Sequence, residues 1–499
     1  MHITINAGPG SGKTYTITHI PRFLRASNKE AFFKNTKWTN QQRAIWKCVA
    51  RHIPISPEDP ILYAAYNNDL VKDAQNKVIK EGPFACECRT IHGAGYKVIN
   101  KKYGYCRINS NRGIQIVERI TGESISQLKN RYEWLSTLKY LEKCKDELRK
   151  PTFENFEELR DKYDSLSNFR IHKDMEEQAS LLLPEMKKVN RKEGIEYIDQ
   201  VWLAIFLAKE PIYKLGLIDE AQDLSPSRFL LAQRLCEHVV WVGDPDQAIN
   251  AFAGADPHAF DKVEELADII LPLKVSFRCP PNIVQRANTI MAQRIIPRDS
   301  FPLTTTKKED GEEKSLVFER EFPRHIARTL PKCMVICRYN APLFRCAFHL
   351  MKQGINVAML GKQLVNQLTW LVKKQKAGSA ADLEEKIQSW VINSSKNVKP
   401  HIAEMLQDKA DCILYAAKDC ETVDEVVDRI EELFKPKKGK CVTLSTIHKA
   451  KGREAENVYI LFPPVRSQHA TTTPQKQQEQ NLEYVAVTRT KKNLYWVHE

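Results

Sequence analysis

Nowhere do the 499 residues contain an apolar run approaching the ~18 residues of a membrane span, and no internal repeat or low-complexity tract appears. Glycine is scarce, 19 residues against 25 prolines, which excludes a collagen-like chain. The start, Met1-His2-Ile3-Thr4-Ile5-Asn6, lacks the basic n-region of an export signal. Cysteines are odd in number, 13, and scattered; neither Cys86-x-Cys88 nor Cys333-x-x-x-Cys337 has a matching pair at zinc spacing. The expectation is a soluble cytoplasmic protein with reduced thiols. The rest is ordinary globular composition, 42% hydrophobic and 28% charged, which excludes disorder. At roughly 100–200 residues per domain, three or four domains are expected.

The charge balance is 76 − 62 = +14 with a pI near 9.0. A polyanion is therefore a partner to look for, although a basic surface serves solubility equally well. Particular residues must decide. The segment His2-Ile3-Thr4-Ile5-Asn6 reads as a short buried strand, followed by Ala7-Gly8-Pro9-Gly10-Ser11-Gly12-Lys13-Thr14 and a helical stretch from Tyr15. A loop wrapped around phosphates needs glycines, because its backbone must take positive φ and aim successive N–H groups at oxygen beside a helix N-terminus. Lys13 would reach the β- and γ-phosphates, and the Thr14 hydroxyl would ligate Mg²⁺. Ala7 stands where the G-x-x-x-x-G-K-[ST] pattern has its first glycine.

Such a loop requires a metal-holding carboxylate at a neighbouring strand end. The run Tyr213-Lys214-Leu215-Gly216-Leu217-Ile218 leads into Asp219-Glu220-Ala221-Gln222-Asp223, so Asp219 would hold Mg²⁺ and Glu220 would polarise the attacking water. A further strand, Val239 to Gly243, ends at Asp244-Pro245-Asp246-Gln247, which places Gln247 to sense the γ-phosphate. Polar groups at the carboxyl ends of successive apolar strands describe a doubly wound parallel α/β sheet.

The order of these motifs resembles the UvrD/PcrA/Rep-like helicases of superfamily 1. The resemblance runs through Tyr63-Ala64-Ala65-Tyr66-Asn67-Asn68, Thr90-Ile91-His92-Gly93, Ser276-Phe277-Arg278, Thr446-Ile447-His448-Lys449-Ala450-Lys451-Gly452 and Tyr484-Val485-Ala486-Val487-Thr488-Arg489. The first two look most like the F-box DNA helicase branch, without an F-box. The resemblance implies two RecA-like motor domains, each with a mainly helical insertion: 1–102 and 201–275 for the first, interrupted by 103–200, then 276–363 and 437–499 for the second, interrupted by 364–436. It implies ATP and Mg²⁺ as cofactors, with catalytic Lys13, Glu220, Gln247, Arg278 and Arg489. The two arginines would stabilise transition-state charge from the second domain, since only guanidinium offers a planar fork that stays ionised. Phe277 would stack on adenine and Glu454 approach the ribose.

By the same resemblance, Tyr66, Asn68, Thr90, His92, Phe252, Thr446 and His448 would contact a nucleic-acid strand. Two departures stand out: Asn250 where relatives usually carry tyrosine, and Ala253 where they carry arginine. A third concerns adenine, because only six residues precede Ala7 and leave no room for the upstream glutamine motif. Thr39-Asn40-Gln41-Gln42-Arg43-Ala44-Ile45 has its composition, displaced downstream of the loop. Gln42 is then either the base reader or part of an N-capped amphipathic helix.

Leu128, Tyr132, Leu135, Leu138, Leu141 and Leu148 carry helical spacing through the first insertion. Lys307 to Lys314 reads as a mobile loop, and the basic Lys435 to Lys440 as a solvated turn or a contact for duplex phosphates. The chain ends at Trp496-Val497-His498-Glu499, so neither a nuclease domain nor a long tail is expected after the last strand. The reading is an ATP-dependent 3′→5′ helicase or translocase acting on single-stranded DNA and on junctions of single and double strand. The alternatives are a translocase that displaces bound proteins without efficient unwinding, and a non-catalytic nucleic-acid clamp. An RNA strand stays open as substrate.

Overall fold

The computed structural model describes residues 1–34, 38–166, 169–250, 258–298, 301–396, 398–435, 439–463, 465–467, 470 and 472–499. The chain divides into two compact units, Met1–Val275 and Ser276–Glu499. Each is an α/β unit built on a six-stranded sheet.

In the first unit the strands are β1 (His2–Ala7), β2 (Ile61–Ala65), β3 (Cys86–Thr90), β4 (Tyr213–Ile218), β5 (Cys236–Gly243) and β6 (Ile269–Leu273). They lie in the order β3-β2-β4-β5-β1-β6, and every neighbouring pair is parallel. The cause is legible in the strands: β2 is an unbroken apolar run and β4 and β5 run apolar toward their carboxyl ends, which only a sheet covered on both faces can bury. Alternate residues serve opposite cores. Ile3, Ile5, Tyr63 and Val240 pack with Trp46 and Phe23 on one face, while Leu62, Ala64, Ile218 and Trp241 pack on the other. Parallel direction brings Ala7, the last residue of β1, and Asp219 and Asp244, just past β4 and β5, to one edge of the sheet.

The first insertion contains the helices Arg112–Thr121, Arg131–Glu147, Phe153–Lys162 and Met175–Lys187. Its Tyr140, Phe156 and Leu182 share a core with the sheet residues Leu62 and Trp241. Inside that core Asp199 accepts from Arg112 and Lys145, each at 2.9 Å, and Lys145 also reaches Glu196 at 2.9 Å. Arg112 and Asp199 are fully buried, and mutual pairing is what makes such burial tolerable.

The second unit's sheet runs edge to edge through Val357–Met359, Val442–Thr446, Cys333–Cys337, Ala455–Leu461, Thr490–His498 and Glu313–Val317, again all parallel. Helices Lys362–Lys374, Ala380–Ser394, Pro400–Ala417 and Val423–Glu432 form its insertion and share its core. One expectation needs correction. The charged segment Lys307 to Lys314 is not loop throughout: Glu313 and Lys314 open the edge strand, paired with Leu494 and Tyr495. Charge is how an edge strand resists further pairing, and it hides the strand from a reading by hydrophobicity. All thirteen cysteines are free thiols. Among the described residues no helix is long and apolar enough to cross a membrane.

Candidate functional site

The loop after β1 is held from both ends. Gly8 N–H donates to the Leu273 carbonyl at 2.9 Å, and the Ser11 hydroxyl donates to the Gly8 carbonyl at 2.8 Å. Gly10 and Gly12 take φ of 67° and 78°, the left-handed region that a side chain resists. Gly12 thereby turns the chain into the helix Lys13–Thr18, whose start no side chain caps, the kind of helix start that suits an anion. The buried Lys274 ammonium donates to the Ala7 carbonyl at 2.7 Å, tying β6 to the loop entrance.

Asp219, fully buried just beyond β4, accepts from the Thr14 hydroxyl at 2.6 Å, the Tyr63 hydroxyl at 2.9 Å and the Glu220 N–H at 2.9 Å. Burial first, and the Glu220 carboxylate second, push its carboxyl up to about 6. A buried carboxylate beside a hydroxyl is a hard-oxygen donor pair of the kind Mg²⁺ takes, and the charge of a cation would relieve the cost of that burial. Glu220 sits at φ 54°, strained for a non-glycine residue, and this turn brings its carboxylate within 3.7 Å of the Lys13 ammonium.

A second row stands behind the first. Gln222 donates to Glu220 at 2.5 Å and accepts the Asp244 N–H at 3.0 Å, while Gln247 donates to the Asp244 carboxylate at 2.7 Å. Lys13, Glu220, Gln222, Asp244 and Gln247 thus form one connected set. The close approach requires Gly243, since a Cβ there would meet Gln222 Oε1 at 2.5 Å and the Phe260 ring at 2.6 Å. Gln42 lies in the same unit with its amide used twice. Its oxygen accepts the Thr39 N–H at 3.0 Å in a capping box, and its nitrogen donates to the Thr16 hydroxyl at 3.1 Å. Both bonds hold the Gln42 amide within this unit, where the residue is buried.

The second unit gathers its own set. Arg278 pairs with Glu454 through Nε and donates from Nη1 to the Thr488 carbonyl at 3.1 Å. Arg489, almost wholly buried, donates to the Val485 carbonyl at 2.9 Å and the Thr488 hydroxyl at 3.2 Å. Both guanidinium groups thus converge on Thr488. Burial alone would raise the Glu454 carboxyl, but Arg278 and Lys491 hold it below its ordinary range. Phe277 beside them is exposed.

Residues 1–268 match the family described as UvrD/REP helicase N-terminal domain, and residues 422–498 match the UvrD-like helicase C-terminal domain. The chain belongs to the UvrD/REP helicase family. It is 24% identical over 492 residues to F-box DNA helicase protein 1 of Schizosaccharomyces pombe, covering 88% of this chain and 52% of that protein. It is 21% identical over 639 residues to the ATP-dependent DNA helicase PcrA of Bacillus subtilis, covering 99% of this chain and 80% of the relative. With the mitochondrial ATP-dependent DNA helicase HMI1 of Saccharomyces cerevisiae it shares 23% over 356 residues, 41% of that protein. The chain therefore spans about half the length of its F-box relative.

For a UvrD/REP-family chain the strand-contact candidates divide into three groups. Tyr66 lies under the Arg228 guanidinium, 5.3 Å from its ring centre. His92 stacks on Tyr197 at 4.4 Å and 22° between planes, and burial, then the charge of Arg228, lowers its pKa to about 4, which keeps the ring neutral. Tyr197 is 62% exposed and was missed by sequence reasoning, because nothing in Glu193 to Asp199 marks it beyond its being aromatic. Thr90 and Asn68 serve helix starts: the Thr90 hydroxyl accepts the Gly93 N–H at 3.0 Å, and Asn68 opens the helix capped by Asn67. In the second unit Thr446 ends its strand and precedes a short helix, and burial, then Arg338, lowers the His448 pKa to about 3. Phe252 and Ala253 lie outside the described residues. Asn250 donates to Asp223 at 3.0 Å.

Proposed function

We propose that the chain is an ATP- and Mg²⁺-dependent motor that moves 3′→5′ along single-stranded DNA and separates duplex at junctions. The observation that carries this reading is the connected set at one sheet edge: a glycine loop with its lysine, a buried carboxylate 2.6 Å from the Thr14 hydroxyl, and a strained glutamate beside Lys13. Thr14 and Asp219 would hold Mg²⁺, which when bound neutralises charge on the β- and γ-phosphate oxygens. The loop amides and Lys13 bind the phosphates, Glu220 takes the proton of the attacking water, and Gln247 senses the γ-phosphate through its tie to Asp244. Arg278 and Arg489, positioned together by Thr488, supply the charge that in comparable phosphoryl transfer is worth ~10³–10⁵ in rate. Glu454 and Phe277 receive the ribose and base. Tyr66, His92, Thr446 and His448 grip the strand by aromatic faces and hydroxyls, contacts that do not read sequence.

The test is phosphate release with and without single-stranded DNA, followed by strand displacement on 3′- and 5′-tailed duplexes in DNA and RNA form. The expected result is stimulated hydrolysis and displacement of the 3′-tailed DNA alone. Stimulated hydrolysis without displacement identifies a translocase, and no hydrolysis at all a clamp.

A further inference from the structure

Tyr63 occupies the middle of β2, a strand of five buried residues flanked by β3 and β4, and it is fully buried itself. A tyrosine in such a place normally needs a partner for its hydroxyl. The partner is Asp219, 156 residues later, at 2.9 Å. Strand pairing fixes the approach: Ala64 lies beside Ile218, and Asp219 N–H donates to the Ala64 carbonyl at 2.8 Å. Tyr63 pairs with Leu217, so the tyrosine and the carboxylate are held by backbone bonds two residues apart in register, on the same face of the sheet.

The consequence follows from counting lone pairs. A carboxylate offers about four acceptor directions. Tyr63 and Thr14 both donate to Oδ2, and the Glu220 N–H donates to Oδ1. Three directions are filled, and one on Oδ1 remains. We propose that Tyr63 is a positioning residue for the metal-holding carboxylate: by saturating Oδ2 together with Thr14 it fixes the rotation of Asp219 and directs the remaining Oδ1 lone pair toward a divalent cation or its water. This rests on the nucleotide reading of the site. Tyr63 touches neither nucleotide nor metal, and its effect passes entirely through Asp219.

The experiment titrates Mn²⁺ into protein with ADP, read by the paramagnetic resonance of free Mn²⁺, for the wild type, Tyr63→Phe, Tyr63→Leu, and Tyr63→Phe on top of Asp219→Asn. Tyr63→Phe keeps the ring and removes only the donor. Mn²⁺ affinity is expected to weaken about tenfold, the scale of one charge-assisted hydrogen bond. ADP affinity without metal should stay at the wild-type value, and a thermal melt confirms the fold. On top of Asp219→Asn the same change should add nothing. If Tyr63→Phe binds Mn²⁺ like the wild type while only Tyr63→Leu weakens it, Tyr63 is packing and the proposal is overturned. An additive loss on top of Asp219→Asn overturns it too. A wild type that binds no ADP with Mn²⁺ overturns the nucleotide reading itself, and the proposal with it.

Discussion

The two sheets have the same strand count and the same parallel direction, yet their carboxyl edges are built for opposite purposes. Past β1 the first unit leaves a helix start uncapped, framed by left-handed glycines. Past the central strand Cys333–Cys337 of the second, the helix Ala341–Lys352 begins with the chain's own carboxylate in place: Asp408 accepts the Ala341 N–H at 2.7 Å and the Asn340 N–H at 3.1 Å. Beside it Arg338 is held in a fork by Glu479 at 2.7 and 3.1 Å. A parallel sheet supplies helix starts at one edge in either case. A start that a side chain already fills is closed to an external anion, and an open one still needs the loop and its cation around it.

The largest effect that tests this contrast is on hydrolysis. Glu220→Gln keeps the loop, Lys13 and the bond to Gln222, and removes the proton acceptor. Turnover should fall by about 10²–10⁴, the usual range for a general base, while nucleotide binding persists. Phosphate release alongside equilibrium binding of a fluorescent nucleotide measures both. Turnover near the wild-type rate would show that the base is elsewhere.

Next comes a cost that the first edge bears when metal is absent. Asp219 has its pKa raised to about 6 against an unfolded value near 4, so the folded state holds its proton more tightly than the unfolded chain does. Stability must then decline as pH rises from about 4 through 6 and stay lower above, which is the sign opposite to that of a salt-bridged aspartate. Metal-free Asp219→Asn should accordingly be more stable than the wild type at pH 7.5, by about 1 to 3 kcal/mol, with the difference vanishing below pH 4. Denaturant melts at the two pH values decide it, and equal stability at pH 7.5 would mean that the three donors already offset the burial.

The chemistry of the first edge is legible in the sequence because its parts are contiguous: eight residues make the loop and two adjacent carboxylates follow one apolar strand. What joins distant segments is not. Tyr63 reads as core, since its partner is 156 residues away. Tyr197 reads as one aromatic among charges until it stacks on His92. Arg278 and Arg489 were paired by resemblance alone, and their meeting at Thr488 spans 210 residues. Gln42 left two readings open because a capping box and a base reader use the same residue types, and the box is present. The edge strand from Glu313 escaped for the reverse reason, its charge pattern being that of a loop.

The smallest effect belongs to the second edge, and it bears most directly on the contrast. Asp408 is a half-buried carboxylate whose pKa desolvation raises despite three bonds to Asn340 and Ala341. Asp408→Ala should cost about 1 to 2 kcal/mol, the value of a lost helix cap, and leave nucleotide affinity unchanged. It should also uncover the two amides of a helix start, creating in the second unit part of what the first possesses. The left-handed glycines would still be missing, so inorganic phosphate should not stabilise the variant beyond its general effect on the wild type. A specific gain in melting temperature with phosphate would show that an open helix start suffices for anion binding, and that the glycine loop matters less than the contrast between the sheets implies.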